Sequence, residues 1–260
     1  MFRMISAEFY KLRKSRSFWL MFAVIAGMAI FTSVVLGMAP DELMEMEMAM
    51  RPETVSEMMV FAAGFMSQVL VFMFVGFTIA FISSDFESGT IRNPFAVGVG
   101  RVHYLVAKFV MILITCAAFL IAGIGFAGLA YLPFEPLGTD FDFGLFLAGV
   151  GITYLGLVAQ TTLFMAVAVV TRKIGTSLGI ILGYITFDLL VGTFVMMLGV
   201  EEGLVARLAS FLPHGAGPVS NAVAVGAANT SDVIVFVAMM AGLVVVSAAL
   251  GVRSLVKKDI

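Results

Sequence analysis

The chain reads as an all-α polytopic membrane protein: six transmembrane helices, both termini in the cytoplasm, and an amphipathic interfacial helix at the N-terminus. Three observations predict this. The first is composition: 61% of the 260 residues are hydrophobic and the mean hydropathy is +1.09, which leaves too little polar surface to cover a fold in water. The second is six apolar runs, at about 18–38, 60–83, 105–132, 144–170, 177–198 and 233–255. The shortest has 21 residues, and ~20 helical residues rising about 1.5 Å each cross a hydrocarbon core of about 30 Å. The third is where the charges fall. Threading the chain through the six runs puts Arg3, Lys11, Arg13, Lys14, Arg16, Arg92, Arg101, Lys108, Arg172, Lys173, Arg253, Lys257 and Lys258 on one side, and only Arg51 and Arg207 on the other. The positive-inside rule makes the first side cytoplasmic. Lys108 and Arg253 lie at the ends of their runs, where a long basic side chain can reach the interface.

Taken in order, the whole chain, 1–260, forms one membrane domain. Residues 1–17 place Ile5, Phe9, Leu12 and Arg16 at helical spacing on one face, with Glu8, Lys11 and Lys14 off that stripe. Such a helix lies along the inner membrane surface, apolar side down; the plainer reading is a basic topogenic segment. The run that follows is longer than the ~7–15 residues of a signal-peptide core and has no small-x-small site after it, so it is expected to stay as an anchor. The outer segment of about 39–59 is acidic and carries Met44, Met46, Met48, Met50, Met58 and Met59. Thioethers suit Cu(I), but no His or Cys accompanies them, and methionine serves elsewhere in the chain as an apolar filler.

The cytoplasmic stretch 84–104 contains Asp85, Phe86, Glu87, Ser88, Gly89, Thr90, Arg92, Pro94, Phe95 and Arg101. Gly89 and Pro94 suit a bend and a helix boundary. Two acids, two arginines and two exposed aromatics are the chemistry of a protein-docking surface; a solvated connector is the alternative. The long outer segment 199–232 includes an apolar stretch from Pro218 to Ala228 that is too short to cross the membrane. It is either interfacial or re-entrant at the mouth of a pathway, or a lid packed on its own spans.

Within the spans, Gly175, Gly179 and Gly183 recur every four residues and form a smooth strip for close helix packing, within the chain or against another. Asp188 is the one charge in the middle of a span, so it faces the interior, water or a partner. Tyr184 lies one turn earlier and can donate a hydrogen bond to it. Either Asp188 lines a substrate cavity, together with Gln68, Gln160 and Tyr184, or it is structural; Thr161 and Thr162 are further intramembrane polar residues.

Several chemistries are not expected. Gly123-x-Gly125-x-x-Gly128 lies inside a span with no strand before it, so it is not a dinucleotide site. No Walker-A string occurs, His103 and His214 fall on opposite sides, and the single Cys116 permits no intrachain disulfide. Catalytic residues, metal ligands and a nucleic-acid partner are therefore not anticipated, since the basic residues sit where topology needs them.

The basic start with Glu8 and Lys11, six spans with both ends inside, and Glu87-Ser88-Gly89-Thr90 followed by Pro94, Arg101 and Lys108 together resemble the permease subunits of type-2 ABC exporters. That family includes bacterial drug, bacteriocin and lantibiotic-immunity transporters. This chain has Arg92-Asn93-Pro94 and Gly98-Val99-Gly100 where relatives often carry a leucine-rich run before a Ser-Arg pair. The resemblance implies a permease of the bacterial plasma membrane without ATPase activity of its own. It implies two such chains, identical or paralogous, with two separate ATPase subunits that hold ATP and Mg. It assigns ATPase coupling to Asp85, Phe86, Glu87, Ser88, Gly89, Thr90, Arg92 and Arg101, and implies an amphipathic peptide, antibiotic or lipid-like cargo. The alternatives are a stand-alone secondary transporter or channel, for which Asp188 is the only coupling group, and a non-transporting assembly partner, with a minor copper or cofactor-maturation branch.

Overall fold

The computed structural model describes residues 2–39, 52–138, 141–197 and 216–257. Within them the chain is helical and contains no strand. The helices are α1 (Phe2–Lys14), α2 (Arg16–Met38), α3 (Val55–Glu87), α4 (Arg92–Ala96), α5 (Arg101–Tyr131), α6 (Phe143–Thr171), α7 (Ile174–Met197), α8 (Ala216–Ala224) and α9 (Thr230–Lys257). Six of these, α2, α3, α5, α6, α7 and α9, are long and apolar enough to cross a membrane. Each begins or ends beyond its apolar run, because a helix continues through the interface until a cap stops it.

The caps are local and legible. Thr54 starts α3 by accepting the Glu57 N–H at 3.2 Å, while the Glu57 carboxylate reaches back to the Glu53 N–H at 2.7 Å. Asp142 starts α6 by accepting the N–H groups of Gly144 and Leu145 at 2.8 and 3.1 Å. Arg172 ends α6 in the left-handed region at φ 60°, and its N–H closes on the Ala168 carbonyl.

The bundle is unevenly covered. Of the apolar stretch of α6, 78% is buried, against 22% for α7 and 17% for α9. The centre is α3, α5 and α6: α6 packs on α3, α8 and α9, and α5 packs on α2 and α3. Phe119 of α5 joins Phe18 and Phe22 of α2 and Phe74 of α3 in one aromatic cluster, with the Phe18 ring stacked at 5.1 Å. Ser33 ties α2 to α5 by donating to the Ala127 carbonyl at 3.0 Å.

α8 is the short apolar helix within the segment 199–232, and it packs on α6 and α3. Ser220 donates to the Gly149 carbonyl at 2.8 Å and accepts from Thr153 at 2.7 Å. A side chain at Gly149 would collide with the Ser220 carbonyl, which explains the glycine there. Residues 199–215 of that segment, and Met44, Met46, Met48 and Met50 of the segment 39–59, lie outside the described residues.

Candidate functional site

Two pairs of side chains, each one turn apart, meet at the basic end of the bundle. Phe81 and Asp85 share a face in the last turns of α3; Tyr104 and Lys108 share a face in the first turns of α5. Lys108 Nζ lies 2.8 Å from Asp85 Oδ2 and donates to the Phe81 carbonyl at 3.1 Å. It also sits 3.8 Å from the centre of the Phe81 ring. Tyr104 donates to the same Asp85 oxygen at 2.8 Å. α1 closes the cluster: Glu8 Oε2 is 2.8 Å from Lys108 Nζ, and Glu8 Oε1 pairs with Lys11 at 3.1 Å. Lys108 is 1% exposed and Glu8 3%. Two acids and two bases thus balance, which is the condition under which buried charge is tolerated.

This geometry corrects two expectations. Lys108 does not reach out to the interface; it is buried and ion-paired to Glu8 and Asp85. The buried side of α1 is Leu12 and Glu8, with Phe9 47% exposed, because Lys108 draws the Glu8 carboxylate inward. Arg16, placed on the α1 stripe by its spacing, instead opens α2.

The stretch after Asp85 is not a loose loop. α3 runs on to Glu87, and Gly89 then reverses the chain at φ 69°, a conformation that favours glycine. Ser88 and Thr90 bond each other at 2.9 Å, and Thr90 donates to Asp85 Oδ1 at 3.3 Å. Glu87 reaches across to accept the Ile174 N–H at 2.7 Å, capping the start of α7. Phe86 lies under the Arg172 guanidinium, 5.5 Å from ring centre to charge. Arg101 donates to the carbonyls of Leu255 and Val256 at 3.1 and 3.0 Å, so it holds the last turn of α9. Arg92 and Phe95 of α4 border a cavity of about 270 Å³ together with Val99, Gly100 and Arg101. The sequence-predicted coupling residues therefore share one end of the molecule. The chain signal that sequence reasoning passed over was Lys108 set a full turn inside an apolar run, with Glu8 available to answer it.

The polar residues deeper in the bundle meet only in part. Tyr184 donates to Gln160 Oε1 at 3.1 Å rather than to Asp188. Gln160 Nε2 is buried with no hydrogen-bond partner among the described residues. Asp188 is 2% exposed, one turn further along α7, and Gln68 is half-buried on α3. Gly175, Gly179 and Gly183 have no atom within 4 Å of where a Cβ would stand, so their strip has no partner within the described part of the chain. Among the described residues, no group of His, Cys, Asp or Glu converges to hold a metal ion.

The described residues form a multi-pass helical bundle with a charge-clamped N-terminal helix and a short helical turn after its second long helix. A family model described as ABC-2 family transporter protein matches residues 4–188, from α1 through Asp188. The chain belongs to that family, as a membrane permease subunit of an ABC transporter. No curated protein matches it.

Proposed function

We propose that this chain forms the substrate pathway of an ATP-driven exporter, with its basic end in the cytoplasm and the segment from Asp85 to Arg101 docked on a separate ATPase subunit. One observation carries the reading: the end of α3 is fastened in two directions at once. Asp85 is tied to α5 and, through Lys108, to α1, while Glu87 is tied to the start of α7. A push delivered to the turn at Gly89 and to α4 reaches four long or interfacial helices through bonds of 3.1 Å or less. Rigid-body helix movement of this kind opens a pathway without remaking the fold.

On this reading two permease chains pair with two ATPase subunits, which hold ATP and Mg. The open faces of α7 and α9 are available to the second chain, in keeping with their low burial. The cargo is an amphipathic peptide, antibiotic or lipid-like compound, and the membrane is the bacterial plasma membrane. Glu87→Ala and Gly89→Pro test the coupling. Both variants are expected to insert normally and to lose ATP-dependent export when co-expressed with the ATPase. Normal co-purification and normal export in both overturn the docking assignment.

A further inference from the structure

α1, α2 and α3 leave a groove of about 810 Å³ between them, open to one side of the bundle. That volume lies in the range of small-molecule sites, ~300–1,000 Å³. The lining changes character along its length. Lys11, Ser15, Arg16 and Ser17 line one end, whereas Leu20, Val24, Phe72 and Phe77 line the other. From Ser84 down to Phe72, α3 rises about 18 Å, close to the ~15 Å depth of one leaflet. The apolar end is not closed by protein: Leu20 is 65% and Phe72 47% exposed, and nothing lies within 4 Å of a Cβ built on Gly76.

The polar end carries unanswered positive charge. Lys108 and Asp85 at the floor of the groove already satisfy each other, and Lys11 answers Glu8. Arg16 has no ion-pair partner among the described residues. Ser15, the residue before α2, makes no side-chain cap bond, so the first N–H groups of α2 are left without a side-chain cap at the turn that carries Arg16.

We infer that this groove binds an anionic membrane lipid, with the head group at Arg16 and the start of α2 and an acyl chain along Leu20, Val24 and Phe72. A soluble anion matches only the polar half; a chain entering sideways from the bilayer matches both. The inference rests on reading the chain as a membrane-spanning permease, and it is independent of ATP coupling.

The test is lipid retention by the intact purified chain, measured by native mass spectrometry. Phosphatidylglycerol and phosphatidylcholine with identical acyl chains are the probes. Phosphatidylglycerol is expected to be retained preferentially. Arg16→Ala should weaken its retention about fivefold, the loss of one basic contact at a membrane surface, and leave phosphatidylcholine unchanged. Gly76→Phe, which keeps every charge and fills the groove, should displace the lipid as well. Lys14→Ala removes equal charge from α1 outside the groove lining and should have little effect. Equal loss in Lys14→Ala and Arg16→Ala marks a general surface potential and overturns the site. Displacement of phosphatidylglycerol by millimolar glycerol phosphate overturns a lipid occupant in favour of a free anion. Retention unaffected by both Arg16→Ala and Gly76→Phe also overturns it. No ATPase is present, so none of these outcomes bears on the export assignment, and failure of export bears on none of them.

Discussion

The basic end of the bundle and its middle handle polar residues in opposite ways. At the basic end, Glu8, Lys11, Asp85 and Lys108 come from three helices and balance within bonds of about 3 Å, with Tyr104 adding a further donor to Asp85. At mid-depth, Gln160 and Tyr184 share one hydrogen bond and the Gln160 amide nitrogen is left over. Glu8 Oε2 meets Lys108 as an ion pair without a hydrogen bond, yet a charge-paired cluster resists rearrangement, since separating Lys108 from its two carboxylates strands buried charge. A pair of neutral side chains with a spare donor has several arrangements of similar energy. The first suits a part that transmits force intact. The second can rearrange at little cost.

The contrast is broken most severely at Lys108. Lys108→Met leaves Glu8 and Asp85 buried against each other, at a cost of about 3–5 kcal/mol. The expected result is a large drop in thermal unfolding temperature, partly restored when Glu8→Gln is added. No restoration in the double variant would mean that packing of the Lys108 stem, not its charge, holds this end together. Tyr104→Phe is smaller. It removes one hydrogen bond to a charged acceptor, about 1.5–3 kcal/mol, and should lower thermal stability without unfolding the chain. At the middle, Asp188→Asn should barely change stability. It should shift the cargo concentration that half-stimulates the ATPase by about five- to tenfold, the equivalent of one polar contact, with maximal turnover preserved. Unaltered cargo dependence would make Asp188 structural.

How much was legible differs between these same regions. The six spans follow from uninterrupted hydropathy, and the structure extends each by a few residues to the nearest cap, such as Thr54 or Asp142. The turn at Gly89 and the boundary near Pro94 follow from local chemistry, and both are found. The partners of single polar side chains were less legible. Arg101 holds the end of α9, a contact that its position in the sequence does not announce. Tyr184 looked like a partner for Asp188 and is found bonded to Gln160. Each depends on which helices become neighbours, and hydropathy has nearly the same value on every side of such a helix.

Apolar length and charge asymmetry are properties of consecutive residues, so the chain alone sets the number of crossings and separates a basic from an acidic side. Lipid enforces that outcome, because an unpaired backbone in hydrocarbon is too costly for any other solution. The meeting of Glu8, Asp85 and Lys108 is a different kind of fact. It joins residues far apart in sequence, and it exists only because α1, α3 and α5 pack side by side. Which charge answers which is a matter of distance in a medium that screens little, and that distance is set by packing.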